Sequence, residues 1–128
     1  MAEALFKKET NGTFEVFSAG TKLSGPEQPI IELGSVTDNV IIVMKEEGID
    51  ISNNIRNQVT KEMADTADKI ILVTDENDPI PEFLANSAKV TKWNVLDPKN
   101  QSLEFTRKTR DQIKSLIQKF LLDNKLSF

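Results

Sequence analysis

The sequence contains neither cysteine nor histidine, and these two absences exclude several kinds of catalytic site. Without cysteine there is no disulfide, no thiolate metal site and no thiol nucleophile. Without histidine there is no Ser-His-Asp triad and no set of imidazole ligands. Most familiar hydrolytic sites are therefore excluded, and we expect neither a bound metal ion nor another cofactor.

Long apolar runs and an excess of basic residues are also missing. No run approaches the roughly 18 apolar residues that a membrane helix needs, and residues 1–5 lack the basic-then-apolar order of a signal peptide. We therefore expect a cytoplasmic protein that does not associate with membranes. The 16 basic and 20 acidic residues give a net charge of −4 without a basic stripe, which argues against a nucleic-acid partner.

The remaining composition is that of an ordinary globular protein. Hydrophobic residues make up 38% and charged residues 28% of 128 residues, and there are only five glycines and five prolines. This length corresponds to one domain with a modest core. We therefore treat residues 1–128 as a single domain.

Predicted strands and helices alternate along the chain, which indicates an α/β layer fold. Helical spacing of apolar residues predicts a helix over residues 36–47, with Gly48 in the left-handed position that ends it and Ile49 closing its hydrophobic contact. A short helix capped by Thr60 and a turn that begins with Pro81 at its first helical position are also expected. The other predicted elements are a helix at residues 1–9, strands at 14–18, 69–74 and 89–95, an exposed loop at 22–35, and a final helix of about 20 residues from Ser102.

The strand predicted at residues 69–74 is a continuous apolar run without alternation. Such strands are buried on both faces, as in parallel sheets. We therefore expect this strand to lie inside a short parallel sheet.

The dipeptide Asp97-Pro98 follows the last predicted strand, at the carboxyl end where open α/β sheets bind their ligands. An aspartic acid there can serve as a general acid if it is aimed at a leaving oxygen. Asp-Pro is also a common way to start a turn, and both interpretations remain open on these residues alone.

Two clusters of charged residues have simpler interpretations. The first is acidic and lacks the pattern of a calcium loop, so we interpret it as a solvated loop. The second is basic and is interspersed with acidic residues at helical spacing, so we interpret it as a solvated helix face. The acidic residues are Asp75, Glu76, Asp78 and Glu82; the basic ones are Arg107, Lys108, Arg110 and Lys114, with Glu104 and Asp111 between them.

Six sequence blocks, spread in order over nearly the whole chain, resemble one known family. They are residues 1–6, 18–21, 43–52, 67–71, Trp93 with Asp97-Pro98, and 105–113. Together they resemble the low-molecular-weight protein tyrosine phosphatases, a family that includes the thioredoxin-type arsenate reductases. Each block alone is a weak signal, and their order makes an unrelated α/β binding module the less favoured alternative.

The resemblance implies a flavodoxin-like three-layer sandwich with a short parallel sheet of strand order 2-1-3-4. In the family, the first strand and a Cys-x5-Arg-Ser phosphate loop come before the block that here reads Met1-Ala2-Glu3. We therefore expect the domain to be truncated at its N-terminus and to lack the central strand. The strand predicted at residues 70–73 would then have an open edge, through which we expect copies of the chain to pair as a homodimer or a larger species.

The family match assigns two site residues. Asp97 matches the general acid of phosphate-monoester hydrolysis through a cysteinyl-phosphate intermediate, and Ser18 matches a residue that supports the phosphate loop. The implied partners are a phosphorylated protein or a small phosphate ester. Because the nucleophile is absent, we expect the chain as given to be inactive.

The resemblance leaves two alternatives to the phosphatase. One is a non-catalytic relative that binds a phosphorylated partner or self-associates. The other is an arsenate reductase, which is less favoured because a thiol relay needs cysteines after the strand at residues 70–74, where the sequence continues Asp75-Glu76-Asn77-Asp78.

Overall fold

The computed structural model describes residues 1–20, 35–74, 79–98 and 101–126. Helices and strands alternate, and two parallel strands form the sheet. The predicted α/β class is therefore confirmed. The elements are α1 (Ala2–Glu9), α2 (Ser35–Glu46), α3 (Lys61–Thr66), β1 (Ile70–Thr74), α4 (Glu82–Ala85), β2 (Val90–Asn94) and α5 (Leu103–Asp123).

Strands β1 and β2 pair in parallel, with Ile70 opposite Val90 and Thr74 opposite Asn94. The ladder begins with the Ile70 N–H, which donates to the Lys89 carbonyl at 3.1 Å. It ends with the Val95 N–H, which donates to the Thr74 carbonyl at 3.0 Å. Both predicted strands are confirmed, and the connection through α4 is the crossover that parallel strands require.

The end of α2 confirms the predicted glycine cap. Gly48 has φ +78°, a left-handed conformation that most side chains disfavour. Its N–H donates to the Lys45 carbonyl at 2.9 Å, and the Ile49 N–H donates to the Met44 carbonyl at 3.0 Å. These two bonds form a Schellman motif, and Ile49 packs against the core as expected.

Side-chain caps begin two other helices. Thr60 Oγ1 accepts from the Met63 N–H at 3.2 Å and starts α3, while Ser102 Oγ accepts from the Phe105 N–H at 3.1 Å and starts α5. Helix α4 also occurs where a turn was predicted, but Pro81 lies at its N-cap. The prediction that Pro81 occupies the first helical position was therefore wrong by one residue.

The buried apolar residues form two clusters of unequal size. In the major cluster, α1, α2 and α5 pack against one face of the sheet, and the Phe120 ring contacts Phe6 and Trp93 edge-to-face at 6.1 and 6.2 Å. In the minor cluster, Leu72, Ala64 and Leu84 join β1 to α3 and α4. The major cluster consists of Leu5, Phe6, Ile41, Val43, Met44, Ile51, Trp93, Val95, Ile113, Ile117, Phe120 and Leu121.

The strand predicted at residues 14–18 is not formed, so that prediction was wrong. Phe14 and Val16 pack against the major cluster, but the segment joins no ladder. Only Gly20 makes a single parallel bridge, to Gln58. Strand propensity alone does not hold an extended segment, because its backbone groups need a neighbouring strand.

Burial of β1 on both faces was also predicted, and it fails at Val73, which is 38% exposed. Within the described residues, β1 has a neighbouring strand on one side only. The side chain of Val73 is therefore left uncovered. The exposed loop predicted at residues 22–35 lies outside the described residues up to residue 34, and Ser35 already belongs to α2.

Candidate functional site

Asp97 lies on the segment that leaves the carboxyl end of β2. Val95, the residue after β2, is buried and hydrogen-bonded to the Thr74 carbonyl, whereas Leu96 and Asp97 are exposed. The chain therefore passes from the core to the surface within these three residues. Asp97 therefore lies beyond the carboxyl end of a parallel strand, the position predicted for the carboxylate of a general acid.

A side chain on α2 holds the segment that follows Asp97. Asn39 Nδ2 donates to the Gln101 carbonyl at 3.0 Å, and the Gln101 N–H donates to the Pro98 carbonyl at 3.0 Å. Asn39 thus anchors Gln101, which in turn bonds to the residue after Asp97. Sequence reasoning missed it, because its partner lies 62 positions away and no local pattern connects the two.

Ser18 lies against the first turn of α1. Its hydroxyl donates to Glu3 Oε1 at 2.9 Å, and Glu3 Oε2 also binds Lys7 Nζ at 3.3 Å. Sequence reasoning missed this role of Glu3, although Glu3 belongs to one of the blocks that carry the family resemblance. Ser18 is thereby held at the N-terminal end of α1, where a negatively charged group is favourably placed beside the helix.

The two predicted site residues are thus positioned by different elements. Ser18 is attached to α1, and the Asp97 segment is attached to α2 and β2. No side chain of this sequence supplies a thiol or an imidazole. The arrangement can position an acid and a hydroxyl, but the chain carries none of the usual thiol or imidazole nucleophiles.

Two open clefts flank these segments. One has a volume of about 250 Å³ and lies beside Glu3, between α1 and residues 49–54. The other, of about 380 Å³, lies between α5 and the segment that leads to Asp97. The second cleft is lined by Asn94, Leu96, Phe105, Lys108, Thr109 and Gln112.

An ionic cluster lies at the C-terminal end of α2 and is centred on Glu46. Arg107 Nη2 approaches Glu46 Oε2 at 2.7 Å, and Arg110 Nη1 approaches Glu46 Oε1 at 2.7 Å. These hydrogen bonds, with that of Arg107 the largest cause, lower the pKa of Glu46 to about 2. Glu46 is therefore ionised at any pH at which the protein would normally be handled.

Glu47 extends this ionic cluster to α1. Lys114 Nζ lies 2.9 Å from Glu47 Oε1, and Lys8 Nζ lies 3.4 Å from Glu47 Oε2. The hydrogen bond from Lys114 is the largest of the causes that lower the pKa of Glu47. Arg110 also donates to the Val43 carbonyl at 2.9 Å, so the cluster joins α1, α2 and α5.

The interpretation of the basic residues of α5 as a solvated face is therefore corrected. Arg107, Arg110 and Lys114 bind carboxylates at the C-terminal end of α2, and those contacts cannot be seen from spacing within α5 alone. Lys108 behaves as expected, because it is exposed and lies 3.9 Å from Glu104 one turn away.

The described residues contain no cluster of three or more candidate ligand side chains that could hold a metal ion. In the predicted acidic cluster, Glu82 is exposed at the start of α4, and the other three members lie outside the described residues. Over the part of the chain that the structure describes, no helix is both long and apolar enough to cross a membrane.

Comparison with known proteins defines the class and then the family. Solved structures of similar fold include arsenate reductases and phosphatases. An arsenate reductase in its phosphate-binding state has a TM-score of 0.74 at 26% identity, covering 95% of this chain and 86% of that chain. A mutant of the YwlE arginine phosphatase with a phosphorylated active-site serine has a TM-score of 0.73 at 26% identity, covering 98% of this chain and 87% of that chain.

Sequence comparisons agree with the structural ones. The sequence model of the low molecular weight phosphotyrosine protein phosphatase family matches residues 1–127. Arsenate reductase 2 of Staphylococcus haemolyticus is 30% identical over 120 residues, covering 94% of this chain and 84% of the relative. The chain therefore belongs to the low molecular weight phosphotyrosine protein phosphatase family, which confirms the resemblance and the expected flavodoxin-like fold.

Proposed function

We propose that this chain carries the proton-transfer part of a phosphate-monoester hydrolase, with Asp97 as the general acid. The observation that carries this proposal is that the backbone is hydrogen-bonded on both sides of Asp97: Val95 donates to the Thr74 carbonyl, and the Pro98 carbonyl accepts from Gln101, whose own carbonyl accepts from Asn39. A general acid needs such a fixed position, because proton transfer requires the carboxyl group within hydrogen-bond reach of the leaving oxygen.

In the proposed reaction, a cysteine thiolate attacks phosphorus while Asp97 protonates the departing oxygen. The alcohol or phenol leaves, and the phosphoryl group is bound to sulfur. The Asp97 carboxylate then accepts a proton from water as that water attacks phosphorus, which releases phosphate and restores the thiolate. Ser18, held by Glu3, supports the loop that presents the thiolate.

The thiolate and the arginine of that loop are not among these 128 residues. The proposal therefore has two parts. The chain as given does not turn over phosphate monoesters, and it becomes active when a strand and a Cys-x5-Arg-Ser loop are joined ahead of Met1. Phosphorylated proteins and small phosphate esters are the proposed substrates.

We prefer hydrolysis to arsenate reduction because of the sequence of the segment that follows β1. That segment, Asp75-Glu76-Asn77-Asp78, carries no thiol. A reductase that relays oxidation through several thiols needs more than the single cysteine that the added loop would provide. The joined protein is accordingly expected to hydrolyse an aryl phosphate without consuming a thiol reductant.

The test compares the 128-residue chain with a chimera that carries the strand and loop of the low molecular weight phosphatase from T. tengcongensis, a relative of similar structure. An aryl phosphate is assayed at pH 5 to 7. We expect no turnover by the short chain and measurable turnover by the chimera. In the chimera, Asp97→Asn should lower kcat by roughly 10² to 10⁴, the usual contribution of a general acid.

The matched control is Asp65→Asn, which removes another exposed aspartate, one whose partner is Lys61 within α3. We expect this change to leave kcat within about twofold, because exposed ion pairs contribute little. Unchanged activity in the Asp97→Asn chimera would show that Asp97-Pro98 is only a turn. Turnover by the short chain that disappears in Asp97→Asn would contradict the need for an added thiolate.

A further inference from the structure

The larger of the two clefts lies on the side of β2 that faces away from β1. The Val95 N–H bonds to β1, so the Asn94 carbonyl of the same planar peptide unit points the other way, where it accepts from Gln112 Nε2 at 3.4 Å. Leu96, the residue before Asp97, also lines this cleft. The cleft therefore extends from the contact between α5 and β2 to the segment that carries Asp97.

The walls of this cleft are mainly apolar. Leu96 is 56% exposed, and Phe105 on the opposite wall is half-buried. Thr109 offers little to a polar ligand, because its hydroxyl already donates to the Phe105 carbonyl at 3.1 Å. Exposed apolar side chains in a concave surface favour a ligand that removes them from water. With a volume of about 380 Å³, the cleft can hold a side chain together with the backbone that carries it.

Lys108 supplies the charge of the cleft. Its side chain belongs to the lining and is 79% exposed. Of the five basic residues of α5, Lys108 makes the longest ion pair, with Glu104 at 3.9 Å, whereas the other four reach a carboxylate at 2.7 to 2.9 Å. An exposed pair contributes little, so Lys108 can exchange Glu104 for another carboxylate at small cost. A negatively charged ligand is therefore electrostatically complementary to the cleft.

We propose that this cleft binds a glutamate side chain close to the phosphorylated residue of a protein substrate. The inference rests on the proposed function, in which Asp97 marks the place where the substrate oxygen leaves. The two methylene groups of the glutamate pack against Leu96 and Phe105, and its carboxylate binds Lys108 Nζ. Lys108 repels a basic side chain in the same place, and a purely apolar one gives that lysine no partner.

Kinetics of the chimera with the added strand and loop test this proposal. Phosphotyrosine peptides of otherwise alanine sequence carry one glutamate, moved in turn through the positions on either side of the phosphotyrosine, and each is compared with its glutamine counterpart. We expect one position at which glutamate raises kcat/KM about twofold to fivefold over glutamine, the range of an exposed ion pair. The change should appear in KM rather than in kcat, because the cleft does not touch the reacting atoms.

Variants of the cleft identify the side chains that recognise the glutamate. Lys108→Gln should abolish the preference for glutamate over glutamine, and Lys108→Glu should favour a lysine peptide over the glutamate peptide. Leu96→Ser should raise KM for the glutamate and glutamine peptides alike, because it removes apolar contact without changing charge. The matched control is Lys119→Gln, which changes a similarly exposed lysine of α5 that pairs with Asp123, and it should retain the preference.

Two kinetic results would overturn the proposal. One is that glutamate is favoured at no position, and the other is that Lys108→Glu keeps the preference of the unmodified chimera. If instead the chimera fails to hydrolyse the aryl phosphate, the proposed function is wrong, and binding measurements then test the cleft.

Binding of a peptide to the 128-residue chain needs no catalytic activity. The unphosphorylated glutamate peptide is added to millimolar concentration while backbone amide shifts are followed by NMR. We expect the amides of Leu96, Phe105 and Lys108 to shift, and those of Ile49 and Asn54, at the other cleft, to stay in place. The glutamine peptide should give clearly smaller shifts. Equal shifts with both peptides, or no shift at the three cleft residues, would contradict recognition of glutamate there.

Discussion

The two faces of the sheet differ in how much of the fold they stabilise. On one face, twelve buried residues form the major cluster, nine of them from α1, α2 and α5, and the ionic cluster around Glu46 and Glu47 joins the same three helices. On the other face, three buried residues connect β1 to two short helices. The candidate site residues Ser18 and Asp97 are exposed and belong to neither cluster. The residues that stabilise the fold are therefore largely distinct from the candidate site residues, so either set can be substituted without altering the other.

Deletion of side chains in the two clusters should show the largest difference. Ile117 is fully buried in the major cluster, and Leu84 is 3% exposed in the minor one. We expect Ile117→Ala to lower the free energy of unfolding by about 3 to 5 kcal/mol and Leu84→Ala by about 2 kcal/mol, because a small cluster can collapse around a cavity. Chemical denaturation measures both. Equal losses would show that the two faces contribute equally.

Removal of Arg110 should have the next largest effect. Its side chain is only 11% exposed, and it donates to Glu46 and to the Val43 carbonyl. We expect Arg110→Met to cost about 1.5 to 3 kcal/mol, the usual contribution of hydrogen bonds to charged groups. Lys61→Met, which removes an exposed pair with Asp65, should cost less than about 0.5 kcal/mol. If both variants unfold at the same denaturant concentration, the ionic cluster does not stabilise the major face.

The local elements of the fold could be predicted because their signals are short-range. Apolar spacing and the Gly48 cap located α2, and the apolar run at residues 69–74 located β1. The strand prediction at residues 14–18 failed for a physical reason. Whether an extended segment becomes a strand depends on a partner, and propensity does not report the partner.

The candidate site could be predicted only in part. Asp97 and Ser18 were found through the family resemblance, and Asp97 also through its place after a strand. The contacts of Asn39 with Gln101 and of Ser18 with Glu3 join residues that are distant in sequence or on different elements. Such contacts are set by packing, which a single sequence does not encode in any local pattern.

Thr74 offers a smaller test within the sheet. It is 4% exposed, and its hydroxyl is buried without a hydrogen-bond partner among the described residues. We expect Thr74→Val to raise the free energy of unfolding by about 1 kcal/mol, because an unsatisfied buried hydroxyl is costly. Thr109→Val is the matched control: it is equally buried, but its hydroxyl donates to the Phe105 carbonyl at 3.1 Å. That variant should gain nothing, and a gain of the same size in both would mean that any added methyl group stabilises the protein.

The pH dependence of the ionic cluster should give the smallest effect. Arg107 and Arg110 lower the pKa of Glu46 to about 2 from its ordinary value of 4.5. A carboxyl whose pKa is lower in the folded state contributes stability above its unfolded pKa and loses that contribution as pH falls through the folded pKa.

The difference in unfolding free energy between the unmodified protein and Glu46→Gln should therefore have its full size above about pH 5 and shrink between pH 4.5 and about 2. Glu104→Gln, which alters the exposed pair with Lys108, is the matched control. Because Glu46 is partly exposed, about 0.5 M salt should also reduce the difference at pH 5.5. A difference that stays constant from pH 5.5 to 2 would mean that the arginines do not stabilise the Glu46 carboxylate.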